Sequence, residues 1–222
     1  MTSRALVIAI DGPSGAGKGT VARTLARALH YRHIDTGAMY RAVAWKARQD
    51  GVDLADQEAV AALAERAEFD LEGRVAIDGH DVTAVIRTPD MDQAAAAVAR
   101  HAAVRAVLVR RQRAYGEGGA LVMEGRDIGT VVFPDAEVKL YLDASPEERA
   151  RRRSQDPAHA VSREGGGVDR VAQALAERDH SDRTRAASPL VLADDAIYVD
   201  TTGVPIEQVV SQVLAVVHWR RG

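Results

Sequence analysis

Residues Gly12, Pro13, Ser14, Gly15, Ala16, Gly17, Lys18, Gly19 and Thr20 spell G-x-x-x-x-G-K, followed by Gly-Thr. That spacing suits the wrapping of phosphate. A backbone without Cβ can turn inward and aim consecutive N–H groups at phosphate oxygens. Lys18 adds a point charge where β- and γ-phosphates would lie, and a helix beginning there adds its dipole. All nine residues are therefore expected to bind ATP. A glycine-rich surface turn is the bland alternative, and the flanking pattern argues against it. Only three lysines occur in the chain, Lys18, Lys46 and Lys139, so one at this position is unlike drift. A GTPase is disfavoured, because its guanine-reading N-K-x-D motif needs asparagine and the chain has none.

Such a loop works only between a buried strand and a helix. The run ALVIAID from Ala5 to Asp11 is short and apolar, as a strand covered on both faces of a parallel sheet requires. From Gly17 to Leu29 the apolar positions Val21, Leu25, Ala28 and Leu29 share one helical face. Similar apolar runs at Ala120 to Met123, Val138 to Leu142 and Ala196 to Val199 alternate with helical stretches, which predicts an α/β fold of three layers around a central parallel sheet. The helix after Leu142 has a clear start: Ser145 as N-cap, Pro146 at the first position, Glu147 and Glu148 at the positive end of the dipole. A last helix runs from Ile206 to His218.

Between these elements the texture changes. Phe69 to Ile86 alternates apolar and polar residues around Glu72-Gly73 and Asp78-Gly79, which predicts a small antiparallel insert. One alanine-rich helical stretch is expected from about Asp92 to Arg113. The chain is thus expected to be one domain built around this P-loop, with a core at 1–52, 94–153 and 169–222, an inserted region at about 53–93 and, at about 154–168, either a disordered loop or a short lid hinged at the three glycines 165–167.

Composition bounds the partners. At 222 residues with 46% hydrophobic content the chain is long enough for one α/β core and a modest insertion. A net charge of −3 argues against nucleic-acid polymers and anionic membranes, although a local arginine cluster suffices for a small anion. With no cysteine, disulfides, thiolate metal sites and cysteine nucleophiles are excluded. The first apolar run stops at Asp11, too short for a signal core, and the protein is expected to be soluble, cytoplasmic and monomeric.

Three further segments identify the phosphoryl acceptor. Asp35-Thr36-Gly37-Ala38-Met39-Tyr40-Arg41, the stretch from Gly125-Arg126-Asp127 to Ala136, and the stretch from Glu177-Arg178 to Arg185 resemble cytidylate kinase signatures in order and spacing. The Gly-Lys-Gly-Thr ending of the phosphate loop likewise resembles nucleoside monophosphate kinases. The resemblance spans essentially the whole chain. It implies phosphorylation of CMP and dCMP by ATP with Mg²⁺, the ion being held mainly by phosphates and water, with Thr20 nearby and no protein metal ligand named. It implies that Arg41, Arg126 and Arg185 grip the CMP phosphate, that Thr36, Arg178 and Asp182 line the ribose, and that Asp127 and Arg105 read the base. Lys18, Arg178 and Arg185 are the expected catalytic residues. Guanidiniums suit this work, because two parallel N–H donors match a phosphate and several of them offset repulsion between donor and acceptor phosphates. The sequence departs from the family pattern after Ile86-Arg87-Thr88, where Ala96 aligns with a serine that touches the base in relatives.

Arg149, Arg151, Arg152 and Arg153 form a dense run with two readings. One is a solvated helix face paired with Glu147 and Glu148. The other has Arg152 and Arg153 folding over ATP as a lid closes and water is excluded. Arg110, Arg111 and Arg113 are read as surface or structural, and His30 and His33 as ordinary histidines. Two rival functions remain: a kinase for UMP or another small acceptor, and a silent nucleotide-binding module. The acceptor-side arginines argue against the second, which has no use for another phosphate site.

Overall fold

A computed structural model describes residues 5–156 and 167–221. Its centre is a five-stranded parallel sheet of order β2-β6-β1-β7-β8, formed by β1 (Val7–Asp11), β2 (Arg32–Asp35), β6 (Leu121–Glu124), β7 (Val138–Asp143) and β8 (Ile197–Asp200). The middle strands β1, β6 and β7 are almost wholly buried, which is why their sequences are near-continuous apolar runs. Ile10 and Asp35 both pair with Glu124, so β1, β2 and β6 end level with one another and release their loops at one edge of the sheet.

Helices cover both faces. On one, α1 (Lys18–Leu29) and α8 (Ile206–Arg221) bring Val21, Leu25, Val209 and Val213 onto Ile8, Ile10 and Leu140. On the other, Ala9, Ile34 and Met123 pack under Ile128 and Val132, which belong to a single wide helical turn of π type, Ile128–Val132. A second core joins α2 (Thr36–Gln49), α3 (Gln57–Arg66), α4 (Pro89–Val98) and α5 (Ala102–Tyr115) through Met39, Val43, Leu63, Val98 and Leu108.

The small antiparallel insert is present as β3 (Phe69–Asp70), β4 (Ala76–Ile77) and β5 (His80–Asp81). Asp78 and Gly79 both have positive φ, 48° and 76°, so they make the two-residue turn whose twist matches flanking strands. α6 (Pro146–Gln155) starts as expected, with the Ser145 hydroxyl accepting from the Glu148 amide at 3.2 Å. α7 (Val168–Thr184) follows.

Two expectations are corrected, and one strand was not foreseen. The single helix from Asp92 to Arg113 is two helices, broken at 99–101, where His101 turns extended and its ring nitrogen meets the Leu54 carbonyl at 2.7 Å. β2 went unpredicted, because Arg32-His33-Ile34-Asp35 is an edge strand with one apolar residue. The last helix runs three residues past His218. Most of the lid expected at 154–168, from 157 to 166, lies outside the described residues. No described helix is long and apolar enough to cross a membrane.

Candidate active site

The phosphate loop leaves β1 at Asp11 and becomes α1 at Lys18. Gly12 has φ 141°, and a Cβ there would stand 1.9 Å from the Leu142 carbonyl oxygen, so only glycine lets β1 and β7 stay this close at the turn. Gly17, at φ 88°, is the left-handed N-cap that opens α1. From outside, the loop is braced by a buried pair: Arg149 donates to the Ser14 carbonyl at 3.1 Å and to Asp179, whose other oxygen accepts from the Ser14 amide at 3.4 Å. From beneath, the Thr201 hydroxyl donates to the Ala16 carbonyl at 3.2 Å.

Lys18 Nζ donates to the Pro13 carbonyl at 2.6 Å. Burial, reinforced by the neighbouring Arg126 guanidinium, pushes its pKa down from 10.5 to about 7. At neutral pH the loop thus holds a partly charged lysine, and negative charge beside it would restore the rest.

Facing the loop is a cleft of about 510 Å³. Thr36, Arg41, Arg105, Arg126, Asp127, Arg178, Asp182 and Arg185 all line it, together with Ser14, Gly15, Gly17, Lys18, Gly19, Thr20, Arg152 and Arg153. Gly12, Pro13 and Ala16 lie behind, in the buried wall. Level strand ends explain the convergence: β2 feeds Thr36 and Arg41 into the first turns of α2, and β6 feeds Gly125-Arg126-Asp127. Among the described residues, ten cationic side chains and five carboxylates line the cleft, so it is built for several negative charges at once.

Each acceptor-side arginine has a carboxylate partner. Arg126 Nε donates to Asp182 at 2.7 Å, Arg41 Nη2 to Asp35 at 2.9 Å, and Arg105 pairs with Asp127 while lying 5.6 Å from the Tyr40 ring centroid. Arg185 stands 3.6 Å from both Asp127 and Asp182. Burial acts to raise the Asp182 pKa, but Arg126 and Arg178 override it and hold the carboxyl below its ordinary range.

A profile of the cytidylate kinase family matches residues 8–219. The chain is a member of the cytidylate kinase family. Among its relatives, the cytidylate kinase of Pelotomaculum thermopropionicum is 53% identical over 216 residues, covering 94% of each chain, and that of Solibacter usitatus is 46% identical, covering 97% of this chain and 93% of the relative. Among solved structures, a shikimate kinase from Bacteroides thetaiotaomicron superposes with TM-score 0.51 at 13% identity over 96% of this chain and 98% of that one. A gluconokinase from Sinorhizobium meliloti gives 0.50 at 14% identity, over 96% and 91%. At such identities these two speak for the P-loop kinase fold alone.

Within this family member, Ala96 and Ala99 of the α4 region line the cleft, so the position expected to touch a base does face it. The arginine run divides. Arg151 and Arg152 both pair with Glu148, as the solvated reading expects, but Arg152 also reaches Thr201 with two bonds, at 2.9 and 2.6 Å, and turns into the cleft. Arg149 is buried beneath the loop, and Arg153 pairs with Asp92. Arg110 and Arg111 bind Glu65, and Arg113 binds the Val131 and Val132 carbonyls, all outside the cleft. His30 caps α1, while His33 meets Glu124 at 3.0 Å, so the two histidines diverge.

Several contributing residues escaped sequence reasoning. Glu124 ends β6, is buried, and would sit 3.2 Å from a Cβ on Gly19. Its signal was available: a carboxylate closing the apolar run Leu-Val-Met. Asp11 carries the same mark, closing the apolar run from Ala5 to Ile10. Its two oxygens accept from the Ile128 and Gly129 amides at 2.8 and 2.7 Å, tying the strand before the phosphate loop to the turn that follows Asp127. Burial raises its pKa to about 6 against the pull of those two amides. Tyr40 lies inside a quoted segment, yet only the fold puts its ring beside Arg105. Burial pushes its phenol up to about 12, so it stays neutral.

Proposed function

We propose that the protein transfers the γ-phosphoryl group of ATP to CMP and dCMP, reversibly and with Mg²⁺, and so supplies pyrimidine nucleotides. It acts as a monomer in the cytoplasm on free nucleotides. One observation carries the reading: a phosphate loop with its lysine and all eight expected acceptor residues open onto the same cleft. A module that only bound ATP would have no use for the second group.

Lys18 and the loop amides hold the β- and γ-phosphates, with Arg152 and Arg153 beside them. Arg41, Arg126 and Arg185 hold the acceptor phosphate. Two polyanions brought together repel, and the arginines offset that repulsion while keeping attacking and leaving oxygens in line. No covalent enzyme intermediate is needed, because the work is positioning and charge neutralisation. Asp182 and Thr36 offer acceptors and a hydroxyl to the ribose, with Arg178 alongside. Asp127 accepts from the cytosine N4 amino group, and Arg105 donates toward its acceptors.

Thr20 and Glu124 present oxygen donors near Lys18, the ligand type that suits Mg²⁺. Among the described residues no three acids or histidines gather into a cage, so phosphates and water would supply most ligands to an ion that neutralises charge on the transferred group.

A coupled ADP-release assay across CMP, dCMP, UMP, AMP and GMP tests the proposal. CMP and dCMP should give the highest kcat/KM. A preference for UMP, or ADP release independent of acceptor, would overturn it.

A further inference from the structure

Asp92 belongs to none of the assigned nucleotide contacts, yet it stands where the two sets of arginines meet. It lies in the first turn of α4, a helix opened by Thr88, whose hydroxyl accepts from the Met91 amide at 3.1 Å. Met91, Ala94, Ala95 and Val98 seat that helix in the core, and the Asp92 side chain is 11% exposed. Among the described residues, three guanidiniums reach its carboxylate from three other helices: Arg41 of α2 at 3.7 Å, Arg178 of α7 at 3.0 Å, and Arg153 of α6 in direct contact. Arg41 and Arg178 belong to the acceptor side, and Arg153 to the donor side. Asp92 therefore joins arginines assigned to the two sides of the cleft.

A carboxylate and a phosphate offer guanidiniums the same thing, a pair of anionic oxygens accepting charge-assisted hydrogen bonds. We infer that Asp92 is an internal stand-in for substrate phosphate, an affinity-setting residue that gathers Arg41, Arg153 and Arg178 in the ligand-free enzyme and yields them to the substrates. Without it, three like charges would crowd a partly buried site without the carboxylate they share, Asp35 being a partner of Arg41, an arrangement that repels and is poorly solvated. With it, arriving phosphates must first displace a carboxylate, so part of their attraction is spent on exchange. That holds ground-state affinity down and keeps product release from becoming slow. Exchange also frees α4 from α6 and α7, because Asp92 joins the three.

The inference rests on assigning Arg41 and Arg153 to phosphates and Arg178 to catalysis beside them, but not on which nucleotide accepts. Inorganic tripolyphosphate is therefore the probe, titrated calorimetrically into the full chain and into Asp92→Asn and Asp92→Ser. Loss of the competing carboxylate should tighten tripolyphosphate binding by roughly tenfold, the size of one charge-assisted contact. The ligand-free variants should melt lower than the parent, and saturating tripolyphosphate should close that gap. With CMP as acceptor, KM should fall while kcat does not rise. Equal or weaker binding of tripolyphosphate in the variants would overturn the inference and leave Asp92 as a residue that merely orients its arginines. So would a loss of Tm that is the same with and without ligand. Asp92→Ser supplies the same readouts if Asp92→Asn is too unstable to titrate. A failed acceptor panel with tightened tripolyphosphate binding would sink the CMP assignment and keep this one.

Discussion

Above neutral pH, ATP should bind together with a proton. In the ligand-free enzyme Lys18 is buried beside Arg126, and its pKa lies at about 7. A triphosphate reverses both influences, since negative charge in contact with the ammonium favours the charged form. The bound pKa therefore returns toward the ordinary lysine range. With a free-state pKa of about 7, roughly nine in ten ligand-free sites carry a neutral lysine at pH 8 and roughly one in ten at pH 6. ATP binding should thus take up about 0.9 proton at pH 8 and about 0.1 at pH 6, and apparent affinity should fall roughly tenfold between them, about 1.4 kcal/mol. Titration of Mg·ATP in buffers of different ionisation enthalpy measures the proton count directly, and Lys18→Met should abolish the pH 8 uptake. Uptake below about 0.2 proton at pH 8, or equal uptake in Lys18→Met, would refute the reasoning. The same shift has a stability consequence whose sign follows from proton counting. Between pH 7 and 10.5 the unfolded chain holds a proton on Lys18 that the ligand-free folded chain lacks, so this group makes ligand-free stability rise with pH across that window.

Three further outcomes are expected. Asp127→Asn should cut the CMP to UMP ratio of kcat/KM by about an order of magnitude, because an amide can donate to the uracil O4 that a carboxylate repels; an unchanged ratio removes Asp127 from base reading. Ala96→Ser should lower KM for CMP several-fold, the worth of about 0.5 to 1.5 kcal/mol from one neutral hydrogen bond, and UMP kinetics measured alongside show whether the gain is base-specific. Gly12→Ala should lose at least about 3 kcal/mol in denaturant melts, since its Cβ would collide with the Leu142 carbonyl at a φ that side chains rarely adopt; parent-like stability would mean that β1 and β7 can part at this turn without cost.

What could be read from residues alone was whatever depends on local chemistry. The phosphate loop declared itself because strand, glycine turn and helix are contiguous, and the Asp78-Gly79 hairpin because a two-residue turn has few solutions. The acceptor residues were legible as a set only through family resemblance, since 149 positions separate Thr36 from Arg185 and no periodicity links them. Where reading failed, a long-range partner decided. The break before α5 has neither glycine nor proline to announce it, and depends on His101 finding the Leu54 carbonyl. β2 is a strand because β6 pairs with it, not because Arg32-His33-Ile34-Asp35 prefers to be one. Arg149 looked like its neighbours in the arginine run, and only the meeting of α6, α7 and the phosphate loop made it a buried brace. Asp92 is one of two acids near the start of α4, and the guanidiniums around it come from far along the chain.

Ten cations in one recess, inside a chain of net charge −3, have an effect at a distance as well as at the site. Beyond a Debye length of about 8 Å the interleaved carboxylates and acidic exterior dominate, and the molecule looks mildly anionic. A cleft of about 510 Å³ has room for small anions, and its arginines act only at close range. A mononucleotide small enough to pass inside meets the arginines at close range. Attraction and admission thus fall on the same small molecules, since the field that draws them is felt only from within the recess.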